Sequence, residues 1–272
     1  MDERMPLIVA NWKMNKTVSE SKQLANEIIN QINQSYLYDI DVVLCPTFVS
    51  LASLSDILRE KRSALLLGAQ DVYPADDGAF TGAVNARMLA DNEVDFCIIG
   101  HSERRRYFNE SDDDVATKLE ALINMGISPV LCLGESLEVR ESGPDLAIEF
   151  VLRQLKDTVS QVALSGSDWA LAGLVIAYEP IWSIGTGLTA SAETAQEMAH
   201  AIRGELASLL GEPAGQTSRI LYGGSVNASN AGEFALLDDI DGCLVGGASL
   251  DAGEFSELVA TYYLKHLQYI HQ

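Results

Sequence analysis

Glu179 closes the apolar run "LVIAY" and precedes Pro180. The proline ring fixes its own φ and keeps the residue before it extended. A carboxylate presented at a strand end, with water kept away, is a base able to take a proton from carbon. His101 follows "FCIIG" in the same way and opens "HSERRRYF". If a helical turn begins there, its positive end disfavours the imidazolium and leaves a neutral ring as a hydrogen-bond donor. Lys13 directly follows "LIVANW", and an ammonium is costly to bury unless an anion meets it. Each residue also has a plainer explanation: a strand-end Glu paired with Arg, a satisfied core His, a Lys paired with a protein carboxylate.

Two glycine pairs widen the pattern. "YGGSVN" starts at Tyr222 and "VGGASL" at Val245, each at the end of an apolar run. Glycine lets a backbone approach a ligand closely, and amides at a helix start hold phosphate. No basic residue stands beside either pair, so backbone N–H groups would do the holding. A third stretch, Gly185-x-Gly187-x-x-Ala190, has the spacing of a dinucleotide fingerprint, with Glu205 about 20 residues on. That reading makes the chain a nicotinamide-dependent oxidoreductase. Its weakness is position, because Glu179 to Ile184 intervene where such a site needs an immediate turn.

These residues need elements to carry them. Eight continuous apolar runs cover residues 7–13, 41–46, 64–70, 96–101, 128–134, 174–180, 219–225 and 242–248. Continuous rather than alternating runs are expected of parallel strands buried on both faces. Helical periodicity lies between them. From Ser191 to Leu210, Ala195, Met198, Ile202, Leu206 and Leu209 recur at three- and four-residue steps, with Gly211 and Pro213 as stop signals. Thr17-Val18-Ser19-Glu20 reads as a capping box, and "SDDD" at 111–114 as an acidic helix start. Phe255, Leu258, Val259 and Tyr262 form one stripe. About eight strand–helix units without a linker predict a single α/β domain over 1–272, a closed (β/α)8 barrel rather than an open sheet. In such a barrel the catalytic groups lie at the C-terminal strand ends. Asn11, Lys13, Gln70, His101, Gly134-Glu135, Glu179 and both glycine pairs fall there.

The net charge of −21 argues against nucleic-acid or anionic-membrane partners, which need a positive field. No apolar run approaches the ~18 residues that span a bilayer, and the start lacks a signal pattern. A cytoplasmic location is the expectation. Cys45, Cys97, Cys132 and Cys243 each lie in an apolar run without a Cys-x-x-Cys pair, as expected of buried free thiols.

Read in order, "ANWKMN", "GAFTG", "IIGHSERR", "LCLGE", "AYEPIWSIGTG", "YGGSV" and "DGCLVGGASL" resemble the triosephosphate isomerase family over essentially the whole chain. The resemblance implies a TIM barrel that interconverts dihydroxyacetone phosphate and glyceraldehyde 3-phosphate, in glycolysis and gluconeogenesis, with no cofactor and no metal. It implies Glu179 as the base, His101 as the neutral electrophile, and Lys13 and Asn11 as donors to substrate oxygens. Glu103 would support Lys13. Gly185, Ser225, Gly246 and Gly247 would offer N–H groups to the phosphate, and residues 180–190 would form a closing loop. It further implies a homodimer in which the loop Tyr73 to Gly82 enters the neighbouring subunit, Thr81 bracing the partner's site. A barrel that has lost activity and only binds is the other alternative. Its expected mark, loss of Glu179, His101 or Lys13, is absent.

The chain departs from the family pattern in places. Ala83 stands where a Glu is usual after Thr-Gly, and that Glu normally meets the Arg matching Arg104. Asp71 stands where Asn is usual after Ala-Gln. Asp71 is therefore expected to supply the charge that Arg104 lacks. Leu188 replaces a basic hinge residue and Ser183 a common Ala.

Overall fold

All eight apolar runs contain strands in the computed structural model, which describes residues 4–164, 173–183 and 189–270. They are β1 (Leu7–Asn11), β2 (Asp41–Cys45), β3 (Leu66–Ala69), β4 (Phe96–Ile99), β5 (Ser128–Leu133), β6 (Val175–Tyr178), β7 (Arg219–Tyr222) and β8 (Gly242–Val245). Each pairs in parallel with its neighbours in chain order, and β8 returns to β1 through Leu7↔Gly242 and Val9↔Leu244. The sheet is thus a closed barrel without an edge.

The continuous runs conceal a period of two. Leu7 and Val9, Val43 and Cys45, Phe96 and Ile98, Val130 and Cys132, Val175 and Ala177, Leu221 and Leu244 pack together in one cluster inside the barrel. The residues between them, such as Ile8, Val42, Cys97, Leu131, Ile176 and Ile220, join the larger cluster under the helices. Both faces are apolar because both are covered.

The helices are α1 (Val18–Gln31), α2 (Leu51–Lys61), α3 (Ala86–Asp91), α4 (Ser102–Phe108), α5 (Asp112–Met125), α6 (Leu137–Glu141), α7 (Pro144–Leu164), α8 (Ala192–Leu210), α9 (Glu212–Thr217), α10 (Ala231–Phe234) and α11 (Ala252–Ile270). Thr17 and Glu20 form the expected capping box on α1, and Ser111 with Asp114 forms another on α5. Ser191 caps α8. The Phe255, Leu258, Val259 and Tyr262 stripe of α11 is fully buried. Pro213 acts differently from its expected role. Gly211 ends α8, and Pro213 lies in the first turn of α9, where a missing N–H costs nothing. The units are unequal, since a long loop and only the short α3 follow β3. The four cysteines are free and buried. No helix among the described residues is long and apolar enough to cross a membrane.

Candidate active site

The strand period aims the first site residues. Asn11 extends the inward set Leu7, Val9, and Glu179 extends the inward set Val175, Ala177. Both side chains are buried at the mouth of the barrel. His101 is out of phase with its strand. Gly100 precedes it at φ +68, a left-handed conformation that glycine adopts without strain, and this turn re-aims the chain. α4 then starts at Ser102 with His101 as its N-cap. Lys13 also has a left-handed φ, of +53, which a non-glycine residue holds only when its surroundings enforce it. Two contacts do so: Lys13 N donates to Asn11 Oδ1 at 3.0 Å, and Gln70 Nε2 donates to Lys13 O at 2.9 Å.

Four of the expected residues form one network. His101 Nε2 lies 2.9 Å from Glu179 Oε1, and Ser102 N donates to Glu179 Oε2 at 3.0 Å. Lys13 Nζ donates to Glu103 Oε1 at 2.6 Å. Glu103 N donates to His101 Nδ1 at 3.2 Å. Nδ1 is therefore an acceptor, so the neutral ring carries its proton on Nε2. Burial pushes the Glu179 carboxyl up, but His101, the Ser102 N–H and Lys13 outweigh it and hold its pKa below the ordinary value. Burial pushes His101 down, and Lys13 adds to that. The Glu179 carboxylate overrides both, so the pKa of His101 is raised. At neutral pH Glu179 is a buried carboxylate with a proton donor in contact.

The glycine pairs flank this network across an open cleft of about 900 Å3 that Asn11, Lys13, His101 and Glu179 line together with Gly224, Ser225, Gly246 and Gly247. A short 3-10 helix, Gly247–Leu250, starts at the second pair. A Cβ on Gly246 would lie 3.3 Å from Lys13 Cε, so the lysine stem runs beside this backbone. Gly134 is required by close approach, since a Cβ there would lie 1.7 Å from Glu179 O. Ser225 Oγ donates to Ser183 O at 2.7 Å. Gly185, Gly187 and Leu188 lie outside the described residues, and Thr81 is exposed on the loop after β3.

Glu135 had no assigned role in the sequence. It is fully buried, and its Oε1 accepts from Tyr178 OH at 3.1 Å and Trp182 Nε1 at 2.9 Å. Burial raises its pKa. It joins the end of β6 to the 3-10 turn Ile181–Ser183, next in the chain after Glu179 and Pro180. The Gly-Glu doublet after a strand was its only signal. The dinucleotide reading fails on geometry: β6 ends at Tyr178 and this turn intervenes before Gly185, inside a closed barrel. No group of His, Cys, Asp and Glu among the described residues is arranged to hold a metal ion.

Comparison with known proteins agrees with this geometry. The family model described as Triosephosphate isomerase matches residues 6–262. The triosephosphate isomerase of Nocardia farcinica is 43% identical over 257 residues, covering 94% of this chain and 96% of its own. The enzyme of Mycobacterium tuberculosis gives the same identity and coverage. That of Corynebacterium glutamicum is 43% identical over 258 residues, covering 94% and 97%. With the match spanning the barrel from β1 into α11, the chain belongs to the triosephosphate isomerase family.

Proposed function

We propose that the chain interconverts dihydroxyacetone phosphate and glyceraldehyde 3-phosphate through an enediolate. The observation that carries this reading is a buried Glu179 carboxylate in contact with the Nε2–H of His101, at a cleft that glycine amides and Lys13 also line. Glu179 turns from His101 to the substrate and takes a proton from C1 of dihydroxyacetone phosphate. Electrons of that C–H bond form the C1–C2 double bond, and the C2 oxygen gains negative charge. His101 Nε2–H and Asn11 donate to the substrate oxygens, and the Lys13 ammonium offsets the charge as it forms. His101 relays a proton between the two oxygens. Glu179 then returns its proton to C2, leaving the aldehyde at C1. Once Glu179 has turned away, burial, Lys13 and the start of α4 keep His101 neutral. Gly185, Ser225, Gly246 and Gly247 hold the phosphate, and closure of the 180–190 loop keeps water from the intermediate.

The fitting assembly is a homodimer. Large apolar side chains stay exposed on the loops after four adjacent strands: Met14 at 93%, Val49, Phe80, and Tyr107 with Phe108 on α4. Neighbouring exposed apolar groups mark an association surface. Tyr73 packs on Phe80, ring centroids 4.7 Å apart, and Tyr73 N bonds Val84 O, so the loop carrying Thr81 is a closed projection. Thr81 would brace the partner's Asn11 and His101. A cytoplasmic place in glycolysis and gluconeogenesis fits the substrate.

Glyceraldehyde 3-phosphate with a coupled readout of dihydroxyacetone phosphate tests the activity, and sedimentation of the same sample tests the dimer. Folded protein without turnover would sink the isomerase reading.

The charge of −21 bears on how substrate arrives. The substrate is a dianion, and Lys13 and the local amides attract it at short range. Long-range repulsion is screened as the Debye length falls from about 30 Å at 0.01 M salt to about 8 Å at 0.15 M. Across that range kcat/KM should rise roughly twofold or more, with kcat unchanged. A monotonic fall, in a salt whose anion does not compete with phosphate, would contradict this.

A further inference from the structure

Beneath the His101 turn lies a second set of charges that does not line the cleft. Asp71 follows Gln70 at the end of β3. Its Oδ2 lies 2.9 Å from Arg104 Nη2, and its Oδ1 accepts from Lys118 Nζ at 2.6 Å. Glu110 Oε1 accepts from Arg104 Nε at 3.1 Å and also from Lys118 Nζ. Glu110 Oε2 accepts from Gly100 N at 3.1 Å. Lys118 and Glu110 are 6% and 8% exposed and Asp71 and Arg104 are half-buried, so two cations and two anions form a cluster that reaches from the interior toward the surface.

We propose that Asp71 is a positioning residue for the isomerisation, closing a charge-balanced clasp with Arg104, Glu110 and Lys118 that fixes the His101 turn against the Lys13 loop, a role that rests on the isomerase reading of His101 and Lys13. The clasp reaches both halves of the site. On one side Glu110 binds the N–H of Gly100, the left-handed residue that re-aims His101. On the other, Asp71 is bonded in the chain to Gln70, whose amide holds Lys13 O and, at 2.8 Å, Cys45 O. The spacing of these halves sets the reach of Lys13 Nζ to Glu103 and of His101 to Glu179. Asp71 itself is pushed up in pKa by burial, with Lys118 and Arg104 opposing. Without Asp71, Arg104 and Lys118 would share Glu110 alone, an uncompensated buried charge that a local shift must relieve.

Charge balance and simple packing give opposite results in a mutant cycle. Asp71→Asn keeps the size of the side chain and removes the charge. It should lower kcat by about tenfold, as expected of a displacement well under 1 Å at the reacting groups, with KM within about twofold because the phosphate amides are untouched. Lys118→Met removes one cation, so Asp71→Asn/Lys118→Met is again neutral. Although it has lost more contacts, the double variant should recover kcat to within about threefold of wild type and regain thermal stability. Wild-type kcat in Asp71→Asn overturns the proposal, and so does a double variant slower than either single one. If Asp71→Asn does not fold, the double variant decides: folded and active supports the clasp, unfolded or inactive refutes it. An inactive wild type would instead refute the isomerase reading, while the stability arm would still report on charge balance.

Discussion

Glu179→Gln should lower kcat by about 10³-fold, or ~4 kcal/mol in the barrier, with KM changed little. The amide keeps the size of the side chain and its oxygen can still accept from Ser102 N, while its NH2 then faces His101 Nε2 in place of the carboxylate oxygen. What it loses is basicity, since a neutral amide does not take up the carbon-bound proton. Most of the proposed phosphate contacts, Ser225, Gly246 and Gly247, lie after β7 and β8, which is why KM should hold. Ring nitrogen shifts of His101 give a second readout that activity alone cannot. In the wild type the pKa of His101 is raised because the Glu179 carboxylate outweighs burial and Lys13. Removing that carboxylate leaves burial and Lys13 acting downward, with only Glu103 opposing. His101 in the variant should therefore remain neutral to a lower pH than in wild type. A variant with wild-type kcat, or a His101 that titrates higher than before, would remove Glu179 from the role of base.

The same pair sets a stability window. Glu179, lowered from 4.5, contributes stability that is present above its unfolded value and is lost as pH falls through its folded value. His101, raised from 6.5, contributes below its unfolded value and loses it as pH rises through its folded value. The two overlap most between the unfolded values, and the window extends beyond both. In the proposed mechanism substrate would break this contact, so part of the binding free energy would go into separating the pair.

The apolar runs made the barrel legible because strands covered on both faces have no polar residue to interrupt them, and the runs ended in the polar and glycine residues of the active face. Glu179, His101, Lys13 and Asn11 were visible for the same reason. Phase within a run was hidden, since Val9 and Ile8 are equally apolar while one faces the barrel interior and the other the helices. Thus Glu179 and Asn11 extend the inward phase, whereas His101 needs the left-handed Gly100. Buried charges were the least legible. Asp71 beside Arg104 was anticipated from the departure at Ala83, and the ion pair forms. Lys118 and Glu110 were not, because each sits in a stretch that reads as an ordinary polar helix start or face. Glu135 was noticed only as a strand end. A buried charge betrays itself through partners far along the chain, and residue order does not record those.

Arg203 is the strongest case, and Arg203→Met should cost about 3–5 kcal/mol of folding free energy. Within α8 it reads as one more helical residue. In the fold it is 8% exposed and satisfies every N–H of its guanidinium. Nε and Nη2 donate to Asp239 Oδ1 and Asp241 Oδ2 at 2.7 and 2.8 Å. The remaining bonds go to the carbonyls of Gly215, Ser218 and Asp239. The cation thus ties α8 and α9 to the start of β8 at the face opposite the substrate cleft. Methionine fills much of the volume but takes a cation from Asp239 and Asp241 and leaves three carbonyls without this donor, with Arg4 still on Asp241 and Gln196 and His200 still on Asp239. In wild type, burial pushes Asp239 up, but His200, Arg203 and Gln196 hold its pKa below 3.8, so its contribution is constant at neutral pH and is lost only in acid. In the variant burial acts on Asp239 without the Arg203 guanidinium, and its carboxyl should take up a proton more readily. The deficit measured by urea unfolding should therefore be largest near pH 7 and shrink toward pH 5. Arg203→Met/Asp239→Asn should recover part of it at neutral pH. Because the network is remote from Glu179, kcat of the folded variant should match wild type. A deficit below about 1 kcal/mol, or one that does not change with pH, would mean that these charges are solvated in the native state and contribute little.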